Sequence, residues 1–196
     1  VEKCRSLFAE ILIVSNAANK FALPGVREIS DEFWQMGPMA GIHAGLKQAR
    51  CPYGFVLACD MPLAEPKLME LIARRRWQYD VVLPCRNQYM EPLFGIYKKS
   101  LYLPIEKMLQ QGERCILDLY PQVRMNYIPA AEWLPVVGHQ QVFFNINEPE
   151  DYLNFLNGRQ GGKKQEQRKS YYLAFCNQQK EAEEDVAEQC CAENKG

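Results

Sequence analysis

The sequence predicts an α/β protein, a three-layer sandwich with helices on both faces of a mainly parallel sheet. Two observations predict this class. Short apolar runs of the kind found in strands buried on both faces recur along the chain, as at residues 11–14 and 55–58. Segments with helical spacing of apolar residues separate these runs. Strands that alternate with helices join most simply into a parallel sheet that is covered on both sides.

The pattern places the elements in a definite order. The predicted strands cover residues 11–14, 26–29, 55–58, 81–83, 93–97 and 143–147. The predicted helices cover the start of the chain, the segment after Gly41, the segment from Pro66, residues 101–109, residues 114–119 and the segment from Pro149. Proline opens two of these helices, at a first-turn position that tolerates its missing N–H group.

The composition changes after Gly158. Residues 159–170 contain a glycine pair and a run of charged and amide side chains, which is typical of a linker. Residues 171–196 are acidic, helix-prone and poor in apolar side chains, so we expect a tail outside the sheet and assign it no role. The sequence therefore predicts a single folded domain at residues 1–158.

Composition and charge argue against several classes of function. The formal net charge of −1 over 196 residues gives no electrostatic basis for binding nucleic acid. No apolar run approaches the roughly 20 residues that span a bilayer, and no signal-peptide core is present, so we expect a cytoplasmic protein without membrane contact. The eight cysteines include no Cys-x-x-Cys pair, which favours reduced thiols over a zinc site.

Polar residues directly follow three of the apolar runs, at the edge of a parallel sheet where ligands bind. Asn16 follows the first run, Asp60 follows the run at 55–58, and Asn145 and Asn147 lie at the end of the last. Amide side chains both donate and accept hydrogen bonds, which suits a pterin or a phosphate. Equally, the two asparagines at 145 and 147 could satisfy backbone groups at the strand end.

Asp60 is the sharpest of these candidates. A carboxylate just past a buried strand and ahead of the rigid Met61-Pro62 step is a natural ligand for Mg²⁺. Magnesium takes only one or two carboxylates and fills its other positions with water and phosphates. The alternative is that Asp60 caps the turn before Pro62, where aspartate is common. Position alone leaves both open.

Two further features carry weaker signals. Gly37 and Gly41 flank a turn that runs into a helix, where backbone N–H groups can approach a ligand. The carboxylate of Asp31 could accept hydrogen bonds from a guanine edge or belong to an ordinary exposed loop. Neither His43 nor His139 has a partner at ligand spacing, so we expect no catalytic histidine.

Four segments together resemble the molybdenum cofactor guanylyltransferases. Their sequences are GPMAGIHAGL at 37–46, LACDMP at 57–62, EPLFGIY at 91–97 and FFNINEPED at 143–151. The first two motifs occur widely among sugar-nucleotide and related transferases, whereas the last narrows the resemblance to the molybdenum cofactor branch. The similarity covers residues 1–156 and implies a Rossmann-like nucleotidyltransferase sandwich.

The resemblance also implies a reaction. GMP would pass from GTP to the terminal phosphate of molybdopterin, or of its molybdenum form, with release of pyrophosphate. Asp60 would hold a Mg²⁺ that bridges the phosphates. No general base is needed, because a phosphate nucleophile is already ionised near pH 7.

Further roles carry over from the family to the remaining candidates. Asn16 and Asp31 would contact the nucleotide, with Asp31 reading guanine. Asn145 and Asn147 would lie toward molybdopterin, and Arg114 would contact its phosphate. Molybdenum-insertion proteins and apo-molybdoenzymes are the protein partners that the resemblance implies.

The sequence departs from the family pattern at two places. Glu91 stands where a basic or polar residue is typical. At the start, nothing matches the family's first βα unit, a strand followed by a glycine-rich loop with an arginine and a lysine. That unit would cradle the triphosphate and place a strand between residues 11–14 and 55–58. We therefore expect these two strands to lack a shared neighbour, and the chain as given to be inactive.

Two alternatives remain open from the sequence. One is a related cytidylyl- or sugar-nucleotide transferase. The other is a non-catalytic domain that binds molybdopterin or a maturing molybdoenzyme through the acidic tail. Asp31 and the segment at 143–151 favour a guanylyltransferase over the first alternative.

Overall fold

The structure is a computed structural model that describes residues 1–15, 21–87, 89–146 and 148–156. The candidate site residues Asn16 and Asn147 lie outside these ranges. So do the predicted linker at 159–170 and the predicted tail at 171–196. Within the described ranges, no helix is both long and apolar enough to cross a membrane.

Strands and helices alternate along most of the described chain, so the predicted α/β class is confirmed. The strands are β1 Leu12–Val14, β2 Arg27–Ile29, β3 Tyr53–Leu57, β4 Val81–Arg86, β5 Tyr89–Met90, β6 Phe94–Lys98 and β7 Met125–Pro129. The α-helices are α1 Glu2–Arg5, α2 Pro38–Gln48, α3 Pro66–Arg74, α4 Tyr102–Gln110, α5 Ala130–Val137 and α6 Pro149–Leu156. Short 3₁₀ helices cover Lys99–Leu101, Ile116–Gln122 and Gln140–Phe143.

The chain divides into two compact units, of which the first comprises Val1–Pro84 and Glu91–Asn145. The second contains Cys85–Met90, where β4 and β5 form a hairpin with Cys85 opposite Met90, and the described residues from Ile146 onward. Helix α6 in this second unit begins at a reciprocal cap. The amide of Glu148 donates to the Asp151 carboxylate at 3.0 Å, and the Asp151 amide donates to the Glu148 carbonyl at 3.0 Å.

Strand β6 lies between β3 and β4 and runs antiparallel to both, which leaves β3 and β4 parallel to each other. Strand β7 also pairs with β4. The sheet is therefore mixed. The prediction of a mainly parallel sheet is wrong at β6, which runs antiparallel to both of its neighbours. The reason lies in the connection before β6, a tight turn in which the Phe94 amide donates to the Glu91 carbonyl at 2.9 Å. A parallel crossover needs a dozen residues or more.

Strands β1 and β2 form a separate parallel pair, with Leu12 opposite Arg27. In the described part of the chain β1 pairs with β2 alone and β3 with β6 alone, so the expectation that they lack a shared neighbour agrees with the structure. Both strands are half-buried along their whole length. The apolar runs are less buried than predicted, because a strand with one partner strand leaves its other edge uncovered.

A buried cluster in the first unit surrounds the start of α3. It consists of Met61, Ala64, Leu68, Met69, Ile72, Val82, Phe94, Ile96, Ile128, Trp133, Val142 and Phe143. Phe143 packs edge-to-face against Phe94 at 5.3 Å between ring centroids and against Trp133 at 5.2 Å. Gly95 allows the closest strand contact, because a Cβ there would lie 2.2 Å from Leu83 Cδ2 and 2.7 Å from the Val82 carbonyl oxygen.

Two predicted elements need correction, and other elements were not predicted. The run at 143–147 is not a strand, because residues 140–143 form a 3₁₀ helix and 144–146 continue without regular structure. Its apolar side chains are buried by core packing rather than by strand pairing. The predicted helix at 114–119 is a 3₁₀ helix over Ile116–Gln122, which contains Pro121. Strand β7 and helix α5 were not predicted, and Pro135 inside α5 obscures its helical pattern.

Candidate functional site

Asp60 lies on a loop that leaves the carboxyl end of β3 and leads into α3. The Ala58 amide donates to the Leu93 carbonyl at 2.9 Å, so the start of the loop is tied to the residue before β6. Met61 and Ala64 are 6% and 3% exposed and belong to the buried cluster. The loop is thus anchored in the core on the residue that follows Asp60, and the carboxylate is held at the sheet edge predicted for ligands.

The Asp60 carboxylate has one oxygen atom that a donor or a cation would stabilise. Its Oδ1 atom is buried and accepts no hydrogen bond from any residue that the structure describes. A carboxylate oxygen that is withdrawn from water without a donor or a cation is costly. An aspartate that merely capped the turn would use its oxygens to accept backbone N–H groups. This oxygen does not, which favours the metal-ligand interpretation over the capping one.

Asn145 presents a second buried acceptor. Its Oδ1 is also shielded from water and, within the described part of the chain, accepts no hydrogen bond. The alternative reading, in which this amide satisfies backbone groups at a strand end, is weakened because no strand forms here. Phe143, two residues earlier, packs in the same buried cluster as Met61. The segments that carry Asn145 and Asp60 are therefore anchored in one core.

Asp31 lies two residues past the end of β2 and is half-buried. The Ser15 amide donates to the Ile29 carbonyl at 2.9 Å, so the carboxyl ends of β1 and β2 lie side by side. The residue after Ser15 is the predicted nucleotide contact Asn16, whose placement is not described. The structure thus brings Asp31 to the end of β1, as parallel pairing requires.

The remaining predicted contact, Arg114, is exposed between α4 and the 3₁₀ helix at Ile116–Gln122. Helix α2 begins at Gly37, whose φ of 73° is in the region that favours glycine, and Pro38 occupies its first turn. A side chain at position 37 would be strained, so the glycine-flanked turn has a conformational reason to be glycine.

Each histidine lies near a glutamate carboxylate. His43 on α2 is fully buried, with its Nε2 3.4 Å from Glu106 Oε1 on α4. Burial lowers the pKa of His43, although the Glu106 carboxylate works in the opposite direction. His139 Nε2 lies 3.7 Å from Glu65 Oε1, at the rim of a shallow, largely apolar groove of about 480 Å³ beside α5. Asp60 and Asn145 are not among the residues that line this groove.

Among the described residues, no three His, Cys, Asp or Glu side chains converge on a point where they could share a metal ion. One cation does reach the Asp60 loop. The Lys3 ammonium donates to the carbonyls of Pro62 and Ala64, at 3.3 and 3.0 Å. Sequence reasoning missed this contact, because it joins residues about 60 positions apart and follows no motif.

Comparison with known proteins establishes the class. The family model described as the MobA-like NTP transferase domain matches residues 1–125. A crystal structure of a protein from Aquifex aeolicus superposes with a TM-score of 0.64 at 26% identity, over 75% of this chain and 76% of that one. The matched fold, with its aspartate loop at the end of β3, defines a nucleotidyltransferase domain.

Closer relatives narrow the class. A protein of Pelotomaculum thermopropionicum named probable molybdenum cofactor guanylyltransferase is 33% identical over 76% of this chain and 73% of its own length. A protein of the same name from Carboxydothermus hydrogenoformans is 32% identical over 80% of this chain and 79% of its own length. The crystal structure of molybdopterin-guanine dinucleotide biosynthesis protein A from Archaeoglobus fulgidus has a TM-score of 0.58 at 30% identity, over 66% of each chain.

The chain belongs to the molybdenum cofactor guanylyltransferase family. The resemblance drawn from the four sequence segments is thereby confirmed, and so is the assignment to the nucleotidyltransferases.

Proposed function

We propose that this protein transfers GMP from GTP to molybdopterin or its molybdenum form, giving the guanine dinucleotide cofactor and pyrophosphate. The observation that carries the proposal is the buried Oδ1 of Asp60, which lies past the carboxyl end of β3 and accepts no hydrogen bond from the described residues. The names of the relatives support the choice of substrates. We further propose that the reaction takes place in the cytoplasm.

The donor set at Asp60 fits a magnesium ion. A single carboxylate oxygen without a donor suits a cation that completes its coordination with phosphate oxygens and water. When bound, Mg²⁺ would neutralise the charge that grows on the pyrophosphate leaving group. The anchored loop would keep the Asp60 oxygen in place without reorganisation, since Met61 beside it is already buried.

The other polar residues would select and orient the two substrates. Asp31 would accept hydrogen bonds from the guanine edge, and Asn16 would contact the nucleotide at the adjacent strand end. Asn145 and Asn147 would contact molybdopterin, supported at Asn145 by its buried acceptor oxygen. Arg114 would contact the molybdopterin phosphate, for which its exposed position leaves room.

Proton abstraction would play no part in the chemistry. The attacking group is a phosphate oxygen that is ionised near neutral pH, so positioning and charge stabilisation carry the reaction. The burial of His43 is compatible with this, because a fully enclosed imidazole cannot exchange protons with a substrate. Molybdenum-insertion proteins and apo-molybdoenzymes would receive the product.

The nucleotide selectivity tests the proposal directly. Activity, here and in the later tests, is measured on the protein with the family's first βα unit placed ahead of Val1, because the chain without that unit is expected to be inactive. This protein is incubated with molybdopterin, Mg²⁺ and one of GTP, CTP or ATP, and pyrophosphate release is measured. We expect pyrophosphate release with GTP and at least about a hundredfold less with CTP or ATP. With those bases, the Asp31 carboxylate would not face the hydrogen-bond donors of a guanine edge. Release with CTP alone would make the protein a cytidylyltransferase. No release with any nucleotide, under conditions where a relative is active, would favour the non-catalytic alternative.

A further inference from the structure

The segment that connects Asp60 to α3 is clamped by a cation from the first helix of the chain. Lys3 on α1 extends its ammonium group between two loop carbonyls, 3.3 Å from Pro62 O and 3.0 Å from Ala64 O. Both carbonyls lie within four residues of Asp60. A lysine ammonium has three donors on one atom, so two carbonyls that converge on it are held at a fixed separation.

The other end of this clamp is also fixed. Cys4, Leu7 and Phe8, which follow Lys3, pack against the buried cluster that contains Met61 and Ala64. The lysine stem therefore starts from a segment that rests on the same core as the loop. The loop itself contributes little, with a single internal backbone bond from the Ala64 amide to the Met61 carbonyl at 3.3 Å.

We propose that Lys3 is a positioning residue for the nucleotidyl transfer site, which fixes the Asp60 loop in the geometry that presents the carboxylate. This inference rests on the proposed function of Asp60 as a metal ligand. Phosphoryl transfer depends on alignment, and a misplacement of about 1 Å can lower the rate about a hundredfold. A contact of modest strength at the surface can thus have a large effect on metal binding and turnover.

The first arm of the test measures the loop itself. Lys3→Met keeps the length of the stem and removes the donors, Lys3→Arg keeps a cation, and Arg5→Met is the matched control. Arg5 is a cation of the same helix, but it donates to the Pro24 carbonyl at 2.7 Å and pairs with Glu2. In hydrogen exchange of residues 57–65, we expect Lys3→Met to speed exchange about three- to tenfold, with little change in the other two variants.

The second arm measures the metal. We expect Lys3→Met to raise the Mg²⁺ concentration for half-maximal activity about three- to tenfold, and Lys3→Arg to restore most of the loss. If Lys3→Met behaves like Arg5→Met in both measurements, the proposal is overturned. Faster loop exchange with unchanged Mg²⁺ dependence would also overturn it, since Lys3 would then be purely structural.

The failure of the proposed function has a different signature. Asp60→Asn is measured alongside the Lys3 variants. If Asp60→Asn keeps the full Mg²⁺ response, the metal role of Asp60 is wrong, whatever the loop exchange shows. If Asp60→Asn loses that response while Lys3→Met keeps it, only the role of Lys3 is wrong.

Discussion

At the scale of single residues, the functional information is concentrated in side-chain atoms that lack a protein partner. Asp60 and Asn145 each hold a buried Oδ1 without a hydrogen bond, whereas the buried network around Tyr97 is satisfied. The Tyr97 hydroxyl donates to the Pro92 carbonyl at 2.8 Å and is hydrogen-bonded to the Tyr120 hydroxyl at 2.8 Å. His43 and His139 also carry buried ring nitrogens without a hydrogen bond among the described residues, so the Asp60 oxygen is distinguished by its place at the carboxyl end of β3.

Asp60→Asn separates the metal-ligand interpretation from the capping interpretation. We expect kcat/KM to fall about a hundredfold or more, because the amide cannot replace the carboxylate at the metal. Thermal stability should stay level or rise, since the change removes a buried charge without a donor.

The measurement is Tm beside steady-state kinetics, with the exposed Asp118→Asn as control. A Tm that falls by about 2–4 °C, with activity retained, would instead support a turn cap.

Gly95 shows how the family motif at 91–97 serves packing rather than chemistry. Gly95→Ala would force a Cβ to within 2.7 Å of a backbone oxygen and 2.2 Å of Leu83 Cδ2. We expect a loss of about 3 kcal/mol in the free energy of unfolding, measured by chemical denaturation. Gly41→Ala is the control, because it lies in α2 with nothing within 4 Å of the added carbon. It should be neutral or stabilising by about 1 kcal/mol, and equal effects of the two changes would contradict the packing argument.

At the scale of elements, the α2–α4 interface encloses a neutral histidine in a charged surround. His43 faces Glu106, while Lys47 bridges Glu106 at 3.0 Å and Glu32 at 2.6 Å. The hydrogen bond from Lys47 lowers the pKa of Glu106. The hydrogen bonds that Lys47 donates to Glu32 and Glu106 raise the pKa of Lys47. Burial lowers the pKa of His43, so the folded state binds this proton less readily than the unfolded chain does.

This interface should make stability depend on pH in a defined direction. Because the pKa of His43 is lower in the folded state, its contribution is complete above the unfolded value of 6.5 and is lost as pH falls below it. The slope is at most about 1.4 kcal/mol per pH unit.

We expect His43→Gln to flatten the pH profile between about pH 7 and 5 in urea denaturation. If His43→Gln keeps the wild-type slope, another group governs stability in this range.

At the scale of the whole molecule, the two strand systems differ in how well they are covered. Strands β1 and β2 are half-buried throughout, whereas Val81 to Leu83 of β4 and Phe94 of β6 are fully enclosed. We expect backbone amides of β1 and β2 to exchange with solvent at least about tenfold faster than those of β6 in native-state hydrogen exchange. Uniform protection across the strands would mean that the chain opens only as one unit.

The sequence allowed the fold class to be predicted because buried strands leave a direct signal. Residues 11–14, 26–29 and 55–58 formed strands close to the expected bounds. The pattern failed where an apolar run is buried in the core without forming a strand. Val142 and Phe143 are apolar because the core lies beside them, not because a strand passes through. Proline at 135 likewise obscured α5.

The site was only partly accessible to the same reasoning. Asp60 could be selected because chain position alone places it at the end of a buried strand. The unmet hydrogen bond that favours the metal-ligand proposal depends on surrounding atoms, and no local sequence pattern encodes it. The contact from Lys3 to the Ala64 carbonyl joins residues 61 positions apart, so only the folded chain reveals it.

The anchoring of Asp60 beside a core residue has a genetic consequence. Since consecutive Cα atoms lie about 3.8 Å apart, no change at the deeply buried Met61 can leave its acidic neighbour undisturbed. A screen for loss of cofactor synthesis would therefore recover packing lesions at Met61 and Ala64 together with true catalytic lesions at Asp60. The two kinds of allele would differ in their temperature dependence. Packing alleles would support cofactor synthesis at low growth temperature, whereas Asp60 alleles would be null at every temperature.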